Sequence, residues 1–234
     1  MSEFASKPLV HTVAGAAEVA VEHHTYRGDL PFDLYRPGAR PAPAVIFVVG
    51  WDEAAADPSF KDAVFFQSWA RMVAARGLVG ITYRNREASD VHALIAHLRA
   101  HAGELGIDPA RLGVWASSGH VPNALAVIAT ERIAFGALLY GFMLDCADAA
   151  AQFRFVAPPV ALEDLRAALL VVRAGRDGTP GVLVSLEAFV ARVPCTVIEH
   201  ADGPHAFELV DDSPRTHEVI EEVLDFLVAR SRGA

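Results

Sequence analysis

Short apolar runs alternate with amphipathic segments through most of this 234-residue chain, and no other feature restricts its folding as strongly. The apolar runs are typical of strands buried on both faces of a parallel sheet, and the segments between them carry apolar residues at helical spacing. We therefore predict an α/β fold with a mainly parallel, doubly wound sheet and right-handed crossovers. The predicted strands are 44–49, 78–83, a run from 111 to a serine pair, 133–140, 168–174 and 196–200, and the predicted helices are 59–76, one opening at Ser89 or Asp90 as its cap, 121–130, 183–190 and one containing 219–227.

The N-terminal part departs from this alternation. Residues 17–26 and 31–36 alternate apolar and polar side chains around the turn signal Arg27-Gly28-Asp29, which predicts an exposed antiparallel hairpin at the edge of the sheet. No linker-like segment divides the chain, so we expect residues 1–234 to form a single domain in which residues 1–15 are poorly ordered. Residues 141–166 show little periodicity and are too few for a large cap domain, so any lid would have to come from this short segment.

Composition excludes several classes of partner. The net charge of −9 and the lack of a lysine or arginine cluster argue against nucleic acid, because nucleic-acid affinity comes mostly from basic side chains. The uncharged apolar stretch 133–144 is shorter than the roughly 20 residues that span a bilayer, so we expect no membrane partner. The N-terminus lacks the pattern of a secretory signal, which favours a cytoplasmic location with Cys146 and Cys195 as reduced thiols.

Chemically reactive side chains fall in loops that follow predicted strands. The loops are Gly50-Trp51, Ser117-Ser118-Gly119, Gly175-Arg176-Asp177 and Asp202-Gly203-Pro204-His205. Because parallel strands end at one edge of a sheet, we expect these loops to converge there. They offer a backbone donor, a hydroxyl nucleophile, a carboxylate and an imidazole base, in the chain order serine, aspartate, histidine.

This pattern resembles the α/β-hydrolase superfamily, and in particular its small esterase and dienelactone hydrolase-like group. The resemblance covers the chain from about residue 17 to its end and rests on a set of landmarks: Tyr83-Arg84, Asp90, Gly106-Ile107-Asp108-Pro109-Ala110-Arg111, Ala174-Gly175-Arg176-Asp177 and Gly203-Pro204-His205-Ala206-Phe207. The resemblance implies the α/β-hydrolase fold with an N-terminal antiparallel hairpin.

The resemblance also implies the roles of individual residues. Ser118 would be the nucleophile, His205 the base that takes its proton, and Asp177 the acid that orients the base. Backbone N–H groups of Gly119 and Trp51 would form the oxyanion hole. Such a mechanism needs no cofactor and no metal.

The predicted elbow departs from the family's Gly-x-Ser-x-Gly pattern. It reads Ala116-Ser117-Ser118-Gly119-His120, so alanine and histidine replace the two flanking glycines. Were Ser117 the nucleophile, Gly119 would fit the second glycine, but Trp115 would occupy the first small position; we favour Ser118. Ser117 and His120 are then candidates for lining the pocket. A His-Gly-Gly oxyanion motif is also missing, since Val49-Gly50-Trp51 stands in its place.

Other histidines have simpler interpretations. His200 lies within a predicted strand, where a buried or solvent-facing histidine is the ordinary reading, and it is the weaker candidate for the base. His97 and His101 stand four residues apart on a predicted helix, a spacing that can hold a metal, but no third ligand is apparent and a solvated helix face is the expectation.

The sequence thus predicts a serine hydrolase that cleaves a carboxylic ester of a small or medium molecule through an acyl-enzyme. One alternative is a dienelactone hydrolase-like lactonase, although that group commonly has cysteine at the elbow. The other is a non-catalytic binding protein with the same fold, which the altered elbow motivates. The hairpin edge or the last helix could also pair two copies into a homodimer.

Overall fold

The computed structural model describes residues 5–50, 59–143 and 165–233. In this part of the chain, eight strands form one sheet in the spatial order β1-β2-β4-β3-β5-β6-β7-β8. The strands are β1 (Ala20–Tyr26), β2 (Leu30–Arg36), β3 (Ala42–Phe47), β4 (Val79–Tyr83), β5 (Ile107–Ser117), β6 (Phe135–Leu139), β7 (Ala168–Ala174) and β8 (Thr196–His200). The described helices are α1 (Val64–Ala75), α2 (Asp90–Ala100), α3 (Ala102–Leu105), α4 (Val121–Thr130), α5 (Val182–Val190), α6 (Phe207–Val210) and α7 (Pro214–Arg232).

The strand directions confirm the predicted mainly parallel sheet with an N-terminal antiparallel hairpin. β1 pairs with β2 and β2 pairs with β4 in antiparallel fashion, whereas β4, β3, β5, β6, β7 and β8 run parallel to one another. The hairpin was expected to be exposed, and this is wrong for β2. Phe32, Leu34 and Tyr35 are buried and β2 lies between β1 and β4, so of the two hairpin strands only β1 is at an edge of the sheet.

The central strands are buried on both faces, as their continuous apolar runs predict. Every residue of β3 is buried. On one face, Trp69 of α1 lies 5.3 Å from Trp115 of β5, ring centroid to ring centroid, and both side chains are fully buried. Each large apolar side chain removed from water in this way stabilises the fold by roughly 1.5–3 kcal/mol.

The start of α2 differs from the prediction. Neither Ser89 nor Asp90 caps α2: Ser89 has helical dihedral angles and makes no capping hydrogen bond. Instead, the Asp90 carboxylate accepts hydrogen bonds from the backbone N–H groups of Arg86 (2.8 Å) and Glu87 (3.2 Å) and pairs with Arg27. Asp90 therefore orders the loop before the helix and ties it to the hairpin turn.

The predicted helix 59–76 is also divided. A 3₁₀ turn over Phe60–Asp62 is followed by Ala63 in an extended conformation, and only then does α1 begin. The turn is fixed by Lys61, whose ammonium group lies 2.8 Å from the buried Asp33 carboxylate of β2. This ion pair orients the turn so that Phe60 faces the serine loop.

Part of the N-terminal segment packs against the core. Leu9 and Val13 are buried, and the Val10 N–H donates to the Glu208 carbonyl oxygen at 2.9 Å. The expectation of poor order for residues 1–15 stays a prediction, and residues 1–4 lie outside the described part. So do Cys146 and residues 144–164, which make up most of the segment considered for a lid. None of the described helices is long and apolar enough to cross a membrane.

Candidate active site

Three loops at the carboxyl edge of the sheet bring together the residues that the sequence singles out. Ser118 directly follows β5, Asp177 follows β7, and His205 follows β8. Because these strands are parallel, their ends lie at the same edge. The parallel sheet thus brings the three loops together, which the sequence alone could only suggest.

A continuous chain of hydrogen bonds joins the three side chains. Ser118 Oγ lies 2.8 Å from His205 Nε2, and His205 Nδ1 lies 2.6 Å from Asp177 Oδ2. The Asp177 side chain is fully buried, whereas the imidazole is 30% exposed. The carboxylate accepts a hydrogen bond from the protonated Nδ1, which leaves Nε2 to accept a hydrogen bond from the serine hydroxyl. The imidazole therefore reaches Ser118, whereas the Ser117 side chain interacts with the Tyr140 hydroxyl.

Asp177 is held in its charged form. Burial alone would raise the pKa of its carboxyl, but hydrogen bonds from His205 and Thr179 outweigh burial and hold the pKa below its ordinary value. Thr179 was not foreseen. Its N–H donates to Asp177 Oδ1 at 2.8 Å, and its hydroxyl lies 3.3 Å from His205 Nδ1. Asp177 is therefore a charged hydrogen-bond acceptor beside Nδ1.

Backbone strain is concentrated around the imidazole. Among the described residues, four that are not glycine have a positive φ angle: Arg27, Ser118, Tyr140 and Ala206. Arg27 belongs to the hairpin turn. The other three are the hydrogen-bond partner of His205, an aromatic residue packed on its ring, and its neighbour in the chain. Strain of this kind clusters at functional sites because the surrounding structure must stabilise it.

The histidine at the elbow is accommodated by burial. His120 is 3% exposed and packs edge-to-face against Phe60 and Phe66, with ring centroids 4.5 Å and 5.4 Å away. Its Nδ1 accepts a hydrogen bond from the Gly50 N–H at 2.8 Å. Burial lowers the pKa of His120 to about 3, so the ring is a neutral acceptor at ordinary pH.

The glycine that the elbow lacks is replaced by one from a different loop. A Cβ atom on Gly50 would lie 2.5 Å from the Gly119 carbonyl oxygen and 2.7 Å from His120 Cα. Both are backbone atoms, which cannot simply rotate away. Because Gly50 has no side chain, its loop can lie directly against the backbone of the elbow. A small residue at position 120 would otherwise provide this space.

We expect Gly50→Ala to destabilise the fold by about 1–3 kcal/mol, because the methyl group overlaps the backbone of the elbow. Chemical denaturation measures this loss. Gly103→Ala is the matched control, since no heavy atom lies within 4 Å of its added Cβ and its φ angle is not positive. Equal stability of the Gly50 and Gly103 variants would contradict the packing described here.

The burial of His120 also predicts a dependence of stability on pH. Folding lowers the pKa of His120 from an ordinary 6.5 to about 3, so between these values the unfolded chain binds a proton that the folded chain does not. His120 therefore does not change the free energy of unfolding above pH 6.5. As the pH falls below 6.5 it lowers this free energy, by about 2 kcal/mol at pH 5.

His120→Asn should remove this component, because the asparagine side chain does not titrate. The measurement is the free energy of unfolding of both proteins at pH 7 and pH 5, and the quantity compared is the change with pH. The same change in wild type and variant would show that His120 is not held neutral.

The candidate oxyanion donors are only partly described. Gly119 directly follows Ser118 in the 3₁₀ turn that leads into α4. Trp51 lies outside the described residues. The loop that reaches it is fixed at Val49, whose N–H donates to the Tyr83 hydroxyl (3.1 Å) and whose carbonyl oxygen accepts from the Asn123 amide (2.7 Å). The neighbouring Gly50 N–H is occupied by His120 and is not a donor to the site.

The other histidines considered as candidates contact different residues. His200 is buried, and its Nε2 lies 2.8 Å from Thr216 Oγ1 and 3.2 Å from an Asp211 oxygen, so it supports the start of α7. The rings of His97 and His101 stack at 4.2 Å. Within 5–50, 59–143 and 165–233, no group of three or more His, Cys, Asp or Glu side chains is arranged to hold a metal ion.

No family model and no curated protein sequence matches the chain. Several solved structures resemble it, and they identify its fold. Esterase LipW from Mycobacterium marinum has a TM-score of 0.67 at 17% identity, covering 92% of this chain and 83% of its own. An esterase rPPE mutant has a TM-score of 0.73 at 15% identity, covering 95% and 86%. The thermophilic esterase Est2 from Thermogutta terrifontis has a TM-score of 0.68 at 18% identity, covering 92% and 93%. The sheet order, the N-terminal hairpin and these similarities together show that the chain has the α/β-hydrolase fold.

Proposed function

We propose that this protein is a serine hydrolase that cleaves carboxylic esters of small or medium molecules through an acyl-enzyme. The observation that carries the proposal is the relay from Ser118 Oγ through His205 to Asp177, with distances of 2.8 Å and 2.6 Å. A serine hydroxyl is a poor nucleophile until a base within hydrogen-bond distance takes its proton. The similar solved structures that are named esterases support an ester as the substrate.

Acylation follows from this geometry. Ser118 Oγ attacks the ester carbonyl carbon while His205 Nε2 takes the hydroxyl proton. The carbonyl oxygen becomes an oxyanion beside the Gly119 N–H, and a second donor from the Gly50-Trp51 loop would complete the hole. Each such donor contributes roughly 3–4 kcal/mol to transition-state stabilisation in measured enzymes. The carbon–oxygen bond then breaks, and the proton on Nε2 passes to the departing alkoxide, which leaves as the alcohol.

Deacylation repeats these roles with water. His205 Nε2 takes a proton from a water molecule that attacks the acyl carbonyl carbon, and it returns this proton to Ser118 Oγ as the carboxylic acid leaves. Asp177 stabilises the imidazolium in both halves of the reaction, and its lowered pKa keeps it charged. The cycle uses only water as a second reactant and restores the free enzyme.

A panel of p-nitrophenyl esters with acyl chains of two, four and eight carbons tests the proposal. We expect saturable hydrolysis of at least one ester, and acid quenching during turnover should trap protein whose mass has increased by the acyl group. The panel should include a lactone and a p-nitroanilide of the preferred acyl chain. A folded protein that hydrolyses no ester faster than buffer would favour a binding role instead.

A further inference from the structure

A buried carboxyl group near the His205 imidazole has no part in the relay. Glu208 belongs to α6, which begins two residues after His205, and it is fully buried. One of its oxygens accepts a hydrogen bond from the Tyr140 hydroxyl. The other oxygen forms no hydrogen bond of normal geometry among the described residues, although the Trp69 indole faces the same carboxyl. A buried carboxyl with an unsatisfied oxygen is costly, so its presence calls for a reason.

Tyr140 connects this carboxyl to the imidazole. Its ring packs edge-to-face on His205, with centroids 4.8 Å apart and an interplanar angle of 65°. Tyr140 has a φ angle of 36°, and a Cβ on the next residue, Gly141, would lie 2.2 Å from a methyl group of Val121. The chain therefore accepts a strained turn, packed tightly on α4, to hold this aromatic ring against His205.

The charge of Glu208 depends on pH, whereas Tyr140 stays protonated. Burial raises the pKa of Glu208 to about 6, so the carboxyl becomes charged as the pH passes from acid to neutral. Burial also raises the pKa of Tyr140 well above its ordinary value, which keeps its hydroxyl protonated as a donor. The titratable groups that face Glu208 are Tyr140, from the turn after β6, and His205. Asp177 faces Tyr140 from the loop after β7, and α1 contributes only the neutral indole of Trp69.

We propose that Tyr140 and Glu208 form a positioning pair that fixes the plane of the His205 imidazole and stabilises its protonated form by a buried negative charge. The link to catalysis rests on the proposed function; the effect on His205 does not. Tyr140 determines where the ring can lie, since the imidazole is confined between the Asp177 carboxylate and the tyrosine ring. Glu208 fixes Tyr140 through their hydrogen bond and places a second anion close enough to His205 for the two charges to interact.

A purely structural role for Glu208 makes a different prediction. If the carboxyl served only to anchor α6, its replacement would lower stability and leave the protonation of His205 unchanged. The distinguishing measurement is therefore the titration of the His205 imidazole, followed by ¹⁵N–¹H NMR of histidine-labelled protein. The signal is assigned by its loss in His205→Gln.

Glu208→Gln is the primary variant, because the amide oxygen can still accept from Tyr140 while the charge is lost. We expect the midpoint of the His205 titration to fall by about half a pH unit or more, as for the loss of one buried negative charge nearby. Tyr140→Phe is the second variant. It keeps the ring but leaves Glu208 without its donor, which disfavours the charged carboxyl and should move the midpoint in the same direction.

Tyr26→Phe is the matched control, because it removes another buried tyrosine hydroxyl, which donates to the Arg84 carbonyl oxygen at 2.7 Å in the hairpin at the far edge of the sheet. It should lower stability without moving the His205 midpoint. A midpoint unchanged in Glu208→Gln and in Tyr140→Phe would overturn the proposal, and so would an equal shift in Tyr26→Phe.

Ester kinetics separate this proposal from the function itself. In an active wild type we expect Glu208→Gln to lower kcat about tenfold with KM within a factor of two, because the imidazole is misplaced while the substrate site is not. An inactive wild type whose His205 midpoint still depends on Glu208 would refute the esterase proposal and leave the positioning pair intact. An active wild type with unchanged kinetics and midpoint in Glu208→Gln would refute the positioning pair alone.

Discussion

Replacing Ser118 with alanine is expected to lower kcat for ester hydrolysis by about 10⁶-fold, the loss seen when a nucleophile is removed from a comparable triad. Ser118 Oγ is the hydroxyl within 2.8 Å of the imidazole, so no other described hydroxyl can take its place without a rearrangement of the elbow. The measurement is the rate of p-nitrophenol release under saturating ester, with the fold checked by circular dichroism.

Ser117→Ala is the control for this prediction. Ser117 stands next to Ser118 in the chain, ends β5 and is 4% exposed. Its side chain interacts with the Tyr140 hydroxyl, whereas the Ser118 hydroxyl lies against His205. We expect the Ser117 variant to retain measurable turnover. A reversal, with Ser117→Ala inactive and Ser118→Ala active, would move the nucleophile to Ser117 and require a different elbow geometry.

Asp177→Asn should lower kcat by about 10⁴-fold and change KM much less. The amide cannot stabilise an imidazolium, and it favours the tautomer that carries its proton on Nε2, which can no longer accept the serine proton. Thr179 Oγ1 lies 3.3 Å from Nδ1, but a hydroxyl supplies no charge. The measurement is kcat and KM for the preferred ester across pH 6–9.

Asp202→Asn is the matched control because Asp202 is an exposed carboxylate three residues before His205, paired with Arg176. It should leave kcat within a factor of two. A loss of less than tenfold in Asp177→Asn would show that the buried carboxylate is not required for the base, and Thr179 would then be the residue that orients the ring.

Much of the fold could be predicted because its signals are local. Continuous apolar runs such as 44–49 identified buried strands, and Val219, Ile220, Val223, Leu224 and Leu227 identified the buried stripe of α7. Failures occurred where tertiary contacts decide. The exposure of β2 depends on its position between β1 and β4, and the division of the helix at Ala63 depends on the ion pair of Lys61 with Asp33.

The same distinction applies to the site. The positions of Ser118, Asp177 and His205 after strands could be inferred because the ends of parallel strands converge. The contact between Gly50 and His120 could not, because the two residues lie 70 positions apart and only the folded chain brings them together. Tyr140 carried one signal that was available in advance: it is the last residue of a predicted strand that ends at the same edge. Glu208 carried none, since a glutamate in a short helix is ordinarily exposed.

The unusual elbow is the sequence feature that argues most directly against activity. A histidine at position 120 suggested a disabled site, but the structure places that ring in an aromatic enclosure of Phe60 and Phe66 and moves the required glycine to position 50. Ser118 keeps the positive φ angle of a strained turn. The altered residues therefore preserve the presentation of the hydroxyl by a different packing, and the departure from the usual pattern is not by itself an argument against activity.

Labelling with a fluorophosphonate tests the central claim most directly, because the reagent phosphonylates a serine only when a base activates it. We predict one adduct per chain, mapped by peptide mass spectrometry to Ser118, absent in Ser118→Ala and strongly slowed in Asp177→Asn. A folded wild-type protein that acquires no adduct, or one that carries the adduct at a serine other than Ser118, would contradict the account.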